Sequence, residues 1–547
     1  MGGVLIEPGS QWPPPGHWKI RHYWQSWSAY WSGDLAALKT YGSCTAPGGY
    51  WARMKAKPGN REIHVPIAAD IARTSAELVA GDTPVIDWED QQAETADSSN
   101  GNAPRRKSPL QDTWDNIAQT IGWANKLLQG AEIGSPIGGW YLRAAWDERL
   151  GKRPLLTVVR GDEALPMFLF DELIAVTFVQ ELDAPQGWKT RSDGEVFRWL
   201  EHHEPGQIRH ELWLGSTSNV GDPLPLTEHP TTAGFLPVID TSTVRPNGIL
   251  VEHVPNDLPM TLDVLPLGRS DLQGVETLLD ALDEAMASWM QDIELAKARI
   301  LASKEMLDPV TRANTSSGAA TGFFGSMFGR RENTNPARAF DTDAKVFTPL
   351  EMPAEDGGKV APITLVQFAI RFQEHEATVL QLIEQIVSRA GYAPQTFGMH
   401  VEGQLSGTAM RRREQKSYRT RDRKRRYMRP ALERIAETLM LLNAVLNPDA
   451  PRPTQRPTLV WRETDQSDPL EMAQVVELLS RARAASKEVL VKAAHPEWDD
   501  TQVGEEVKRL MAEDAGMMAP APTGFESPVG PVPQGNGVPS PNAGPQG

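Results

Sequence analysis

Cysteine is almost absent. The 547-residue chain has one, Cys44, which excludes a disulfide framework and any zinc site built on thiolates. No apolar run is long enough to span a bilayer, so no membrane partner is expected. Met1 to Trp18 lack a basic flank and an apolar core, and are not read as a signal peptide. The chain is therefore expected to be made in a cytoplasm and to act there or in something assembled there. The phosphate-cradling pattern G-x-x-x-x-G-K-[ST] is missing as well. Gly151-Lys152 and Gly358-Lys359 lack the upstream glycine and the following Ser or Thr. No G-x-S-x-G nucleophile elbow occurs.

What is present is a long chain with enough apolar residues, 40%, to bury a core over most of its length. Length alone suggests three to four domain-sized units at about 150 residues each. The net charge is -16, but it is uneven. Arg411 to Arg429 hold eleven Lys or Arg and two acids, which leaves -25 on the remainder. Such a stripe is either a solvated helix face or a surface meeting phosphate or an acidic neighbour.

Residues 1–60 are rich in Trp, with Trp12, Trp18, Trp24, Trp27, Trp31 and Trp51, and read as an arm lying on another surface. Val65–Ala80 reads as a helix, with Pro66 in its first turn and Gly81 ending it. A second helix carries Trp114, Ile117, Ile121 and Leu128 on one side. Between 139 and 215, five β-branched and aromatic runs separated by Gly, Pro and Asp predict antiparallel strands. Residues 216–268 read as irregular. A long helix is predicted over 270–303, with a near-heptad seam through Leu282, Met286, Trp289 and Ile293. A second runs over 363–390, with Phe368 and Phe372 in phase. Between them, 304–362 is a Ser/Gly/Phe-rich insertion with Phe323, Phe324, Arg330 and Arg331. Residues 391–407 form a loop with Phe397, Met399, His400 and Leu405. A helix from 408 to 446 carries the basic stripe and a kink at Pro430. Helices within 447–513 and a Pro/Gly-rich, disordered tail over 514–547 close the chain.

No constellation supports catalysis, and no cofactor or metal is expected. His202, His203 and His210 cluster beside Glu201, Glu204 and Glu211, but neighbouring residues of a strand face opposite sides. Asp341 and Asp343 read as loop acids, and Asp283-Glu284 as solvent-facing helix charges.

Four segments carry a resemblance. They are Val65-Pro66-Ile67-Ala68-Ala69-Asp70-Ile71 with Ser75-Ala76-Glu77-Leu78; Gly268-Arg269-Ser270-Asp271 through Asp292 and Lys297-Ala298-Arg299-Ile300; Gln367-Phe368-Ala369-Ile370-Arg371 with His375; and Ala390-Gly391-Tyr392 through Gln395-Thr396-Phe397-Gly398, then Thr408-Ala409. In this order they resemble the portal proteins of tailed double-stranded DNA bacteriophages of the long-tailed type, over roughly residues 60–510. The resemblance implies an α+β portal fold: a β-rich wing (61–269), a two-helix stem (270–303 and 363–390) flanking a small clip (304–362), a tunnel loop (391–407), a long kinked wing helix (408–446) and a helical crown (447–513). It implies a homo-oligomeric ring, usually of twelve subunits, at one capsid vertex in the virion. That ring channels viral DNA and has no enzymatic activity of its own. Implied partners are the large terminase, the head–tail connector, the major capsid protein, scaffold and the passing duplex. Phe323, Phe324, Arg330 and Arg331 would then face clip partners. Leu282, Met286, Trp289, Ile293, Phe368 and Phe372 would pack the stem. Phe397, Met399, His400 and Leu405 would face the channel, or tuck into the wing. Arg411, Arg412, Lys416, Arg419, Arg423 and Arg426 would meet either a neighbouring subunit or DNA. The rivals are a capsid-associated adaptor or scaffold, which is usually shorter, and a nucleic-acid-processing enzyme, against which the missing phosphate loop counts.

Overall fold

The computed structural model describes residues 6–56, 62–88, 108–189, 194–257, 266–296, 299–303, 347–350, 364–366, 370–399, 407–461, 469–482, 484–495, 498 and 500–517. The chain divides into two units, 1–464 and 465–547. It mixes helices and sheets, as an α+β reading requires.

The tryptophan-rich arm folds onto its own chain. It contributes α1 (Trp18–Ser32) and α2 (Tyr50–Ala56). Trp27 and Trp51 are wholly buried there, in a core shared with Ile67 and Ile71 of α3 (Ile67–Ala80). A Trp buries about 150–250 Å² of surface, so these two rings anchor the arm. The helix expected around Trp114 to Leu128 is two helices, α4 (Pro109–Ile121) and α5 (Trp123–Ile137). Gly122 sits between them at φ +66, a conformation that favours glycine and ends the first helix, and Leu128 is exposed on the second.

The predicted strands form two antiparallel sheets. β2 (Gly139–Ala145) pairs with β3 (Leu155–Arg160). β4 (Ala164–Leu169), β5 (Glu172–Leu182), β6 (Val196–Glu204), β7 (Gln207–Gly215) and β8 (Asp222–Leu224) run as a meander, with β9 (Val238–Asp240) also on β7. β10 (Val251–Pro255) joins β2. Residues 216–268 are therefore not wholly irregular. Their strands are too short for periodicity to reveal, and they are fixed by partners more than 100 residues away in the case of β10. On the face of β2, Trp140 packs against Gly130 and Gly134 of α5, where a Cβ would collide with the indole.

The two rods are shorter than expected. α6 spans Glu276–Leu295, and Arg299–Ser303 is a strand, β11, not helix. β11 pairs in parallel with β12 (Phe347–Leu350) and antiparallel with β13 (Thr364–Val366). The second rod, α7, begins at Phe372 and ends at Arg389. Ile300 and Leu365 fit a helical seam and a strand equally well, because a short apolar run has no period of its own. Their strand partners decide the matter. α8 then runs unbroken from Gly407 to Leu446, through Pro430. Its second half, with Leu432, Ile435, Ala436, Leu439 and Met440, is buried against α3, α4, α5 and the β2 sheet. A final ribbon pairs β1 (Val85–Asp87) with β14 (Thr458–Val460).

The second unit contains α9 (Pro469–Arg481), α10 (Lys487–Ala494) and α11 (Asp500–Met517). Val491, Val503 and Val507 form its small core, and Trp498 stacks on His495 at 4.0 Å. Among the described residues no helix is long and apolar enough to cross a membrane.

Candidate functional site

The inner face of the basic half of α8 is not basic in the same way as its outer face. Ser417, Thr420 and Lys424 fall three and four residues apart, in phase with buried Met428 and Leu432. The Thr420 hydroxyl donates to the Gly391 carbonyl at 2.7 Å. Ser417 Oγ accepts the Ala393 N–H at 2.9 Å. Lys424 is 3% exposed, and its ammonium donates to Asp271 Oδ2 at 2.5 Å, Ser75 Oγ at 2.8 Å and Tyr392 OH at 2.9 Å. Its three protons thus have three acceptors. Asp271 also accepts from Ser135 Oγ at 2.7 Å, Asn256 Nδ2 at 2.9 Å and Tyr392 OH at 3.0 Å. Burial pushes the Lys424 pKa down, against the pull of Asp271. Burial, and then the Asp271 charge, push Tyr392 well above the usual phenol range. Removing such a pair from water costs several kcal/mol per ion, so the junction holds only because every group is hydrogen-bonded.

Three of the four segments that carried the portal resemblance meet at this ammonium, through Ser75, Asp271 and Tyr392. A second node joins the two rods. Asp292 of α6 accepts His375 Nε2 at 2.9 Å and Arg371 Nη2 at 2.9 Å. The bond from His375, then that from Arg371, hold its carboxyl below the usual range. Trp289 lies edge-on to Phe372 at 5.6 Å and stacked on His375 at 6.0 Å. Along α6 the seam goes from fully buried Leu282, through half-buried Met286 and Trp289, to exposed Ile293. Phe372 is also exposed, and Phe368 lies outside the described residues.

The buried half of that seam faces the arm as well as α7. Glu276 accepts Trp27 Nε1 at 2.8 Å, and Asp280 accepts the Tyr50 and Trp51 N–H groups at 2.6 and 3.1 Å. Asp283 accepts Trp51 Nε1 at 2.8 Å, His64 Nδ1 at 2.9 Å and the Val65 N–H at 2.8 Å. Asp283 is thus fully buried, which corrects its reading as a solvent-facing charge; only Glu284 beside it is exposed, paired with Arg53 at 2.6 Å. Burial raises the Asp280 pKa, opposed by the two backbone donors.

The basic stripe divides. Arg423 forms a two-pronged pair with Asp257 at 2.5 and 2.8 Å. Lys416 donates to the Ser388 carbonyl and to its hydroxyl at 2.8 Å. Arg425 donates to the Val79 and Leu78 carbonyls at 3.0 and 3.2 Å, at the C-terminal end of α3. Arg412, Arg419 and Arg426 are exposed and make no ion pair among the described residues. The side chain of Arg411 is outside them. Phe397 packs half-buried on the arm–rod core, edge-on to Tyr392 at 6.2 Å, and Met399 is half-buried. His400, Leu405, Phe323, Phe324, Arg330, Arg331, Asp341 and Asp343 lie outside the described residues.

The histidine cluster is a set of polar contacts within and across the strands of the meander. His203 Nε2 meets Glu201 at 2.6 Å, while His202 meets Thr177 at 2.8 Å and Glu211 at 3.3 Å. Burial, the largest influence, works against the Glu201 charge, but the His203 bond together with the His203, Arg143 and His210 charges outweighs it and holds the carboxyl at about 2. Among the described residues no group of three or more His, Cys, Asp or Glu could hold a metal ion. Sequence reasoning missed Lys424 because it stood inside a run of like charges. The signal that could have separated it was its register with Ser417, Thr420 and Met428.

A family model described as phage portal protein, SPP1 Gp6-like, matches residues 14–518. No curated protein matches. A chain of a structure titled "Virion of native gene transfer agent (GTA) particle" is similar at 14% identity and a TM-score of 0.36. That match covers 82% of this chain and 98% of the other. A chain from the "Neck of native GTA particle computed with C12 symmetry" is similar at 14% identity and a TM-score of 0.33, covering 80% and 96%.

Proposed function

The chain belongs to the SPP1 Gp6-like family of phage portal proteins, and from that premise we propose that its copies close into a ring, usually of twelve, at one capsid vertex. The ring is the channel through which double-stranded DNA enters and leaves the head. The observation that carries this reading is the family match over residues 14–518, which takes in both units of the chain. In this reading α6 and α7 are the stem, and the insertion between them is the clip that docks the large terminase and then the head–tail connector. The β-rich region with α8 is the wing, the loop after Tyr392 faces the channel, and the second unit is the crown. Scaffold and major capsid protein are met during assembly in the host cytoplasm. The ring itself hydrolyses nothing; packaging is driven by the docked motor.

The buried junction at Lys424 suits this role, since it ties the base of the loop at Tyr392 to the stem and the wing. Passing DNA pushes on the loop, and a junction with every group paired resists deformation better than a loose one. The test is the mass and shape of the protein, purified alone and after co-expression with scaffold and capsid proteins. Twelve 60.3-kDa copies give about 0.7 MDa. A ring with a central hole supports the reading. A compact dimer that cleaves duplex DNA with a divalent cation overturns it in favour of an enzyme, and a monomer in both preparations overturns the ring.

A further inference from the structure

The first half of α8 presents a charged face that the described residues cover only in part. Arg412, Lys416, Arg419, Arg423 and Arg426 recur at steps of four, three, four and three, so they share one side of the helix. Lys416 and Arg423 are fastened to Ser388 and Asp257, which orients that side. Arg412, Arg419 and Arg426 stand seven residues apart, about 10 Å along the axis. All three are exposed, with no ion pair among the described residues. Arg413 beside them is exposed too. Each successive pair on this face is a like-charge pair at three or four residues, which disfavours the helix that carries it. A helix so charged is best explained by an anionic surface that covers it.

We propose that this surface belongs to a second copy of the chain, and that Arg412, Arg419 and Arg426 bind carboxylates of the adjacent subunit. The inference rests on the ring reading above and names the contact that closes the ring. A head-to-tail ring needs two different patches on each chain that complement one another. This chain has one basic stripe, and with residues 411–429 set aside the rest of it carries -25. The opposite sign is thus supplied by the chain's own remaining surface. Duplex DNA is the competing anion. A row of arginines that gripped phosphate would hold the duplex more tightly with each contact, against the free passage a channel requires.

The test compares full-length wild type with R412E/R419E/R426E and R412K/R419K/R426K by light scattering, from about 50 mM to about 500 mM salt. Circular dichroism and the unfolding midpoint of each protomer are measured alongside. Wild-type rings are expected to dissociate as salt rises. The lysine variant is expected to assemble like wild type. The glutamate variant is expected to need about tenfold or more protein to assemble, with an unchanged unfolding midpoint. R419E alone, carrying the smallest change, is expected to shift assembly in the same direction. Anisotropy with a short fluorescent duplex separates the rival. A glutamate variant that forms rings at the wild-type concentration overturns the proposal, and one that does so while losing duplex binding assigns the row to DNA. Wild-type rings indifferent to salt also overturn it. Wild type that never assembles, even with scaffold and capsid proteins, overturns the ring reading instead.

Discussion

Lys424 is the residue on which the largest single effect is expected. Replacing it with Met leaves the Asp271 carboxylate buried against Ser135, Asn256 and Tyr392 without its cation. Breaking one side of a buried pair typically costs about 3–5 kcal/mol. Chemical denaturation of K424M should show a loss of that size. K424M/D271N should recover part of it, because the uncompensated charge is gone. A different residue governs acid stability. The folded-state carboxyl of Glu201 is held at about 2, below its ordinary 4.5. A depressed acid contributes stability that is fully present above 4.5 and is lost as the pH falls towards 2. E201Q should therefore flatten the acid limb of the stability curve between those two values while leaving Arg143 and His203 in place. An unfolding-midpoint series across that range checks it, and a variant with the wild-type slope would mean that the Glu201 carboxyl is not held low by its His203 and Arg143 neighbours.

At the scale of elements, the arm and α6 are bound by three carboxylates on one face, Glu276, Asp280 and Asp283. D283A strips the acceptor from the Trp51 indole, the His64 ring and the Val65 amide. A buried donor left unmet costs about 1–3 kcal/mol, and of the three only the Trp51 indole bond is fully buried, so a loss of about 2–4 kcal/mol is expected. Limited proteolysis should then cut within 6–56 much faster than in wild type. An arm as resistant as before would place the anchorage in the Trp27 and Trp51 packing alone. The same helix marks where the sequence is legible and where it is not. α8 could be read nearly to its ends, since its apolar residues keep one period for about four turns beyond Pro430. β5, β6 and β7 of the meander were legible as β-branched and aromatic runs between turn residues, whereas β4 and β8 were not. The ends of α6 and α7 were not, because Ile300 and Leu365 suit either period and pair with one another across β11 and β13. Nor were the partners of Asp283 and Lys424 legible, since Trp51 at the first and Ser75 and Asp271 at the second lie more than 150 residues away in the chain. Local pattern carries no trace of such partners.

For the whole molecule, the sign and placement of charge set what the channel does with its cargo. A protein that neutralises phosphates gains affinity with every contact and loses it steeply with salt. Here much of the basic stripe is occupied within the chain, by Asp257 at Arg423, by Asp271 at Lys424 and by the α3 carbonyls at Arg425. The exposed remainder is assigned to the neighbouring subunit. With residues 411–429 set aside, what is left for DNA is an acidic body of net charge -25. Assembled protein at about 150 mM salt should then bind a blunt duplex no more tightly than about 10⁻⁴ M, the weak end of non-specific binding. Freeing the arginines should change this. If adjacent copies cover Arg412, Arg419 and Arg426, dilution to monomer exposes them. The monomer should then bind duplex more tightly per chain than the ring does, with a steeper fall as salt is raised. Anisotropy titrations on either side of the assembly threshold measure both. Equal affinity in the two states would mean that assembly covers no phosphate-binding group, and the acidity of the body alone would have to account for the free passage of DNA.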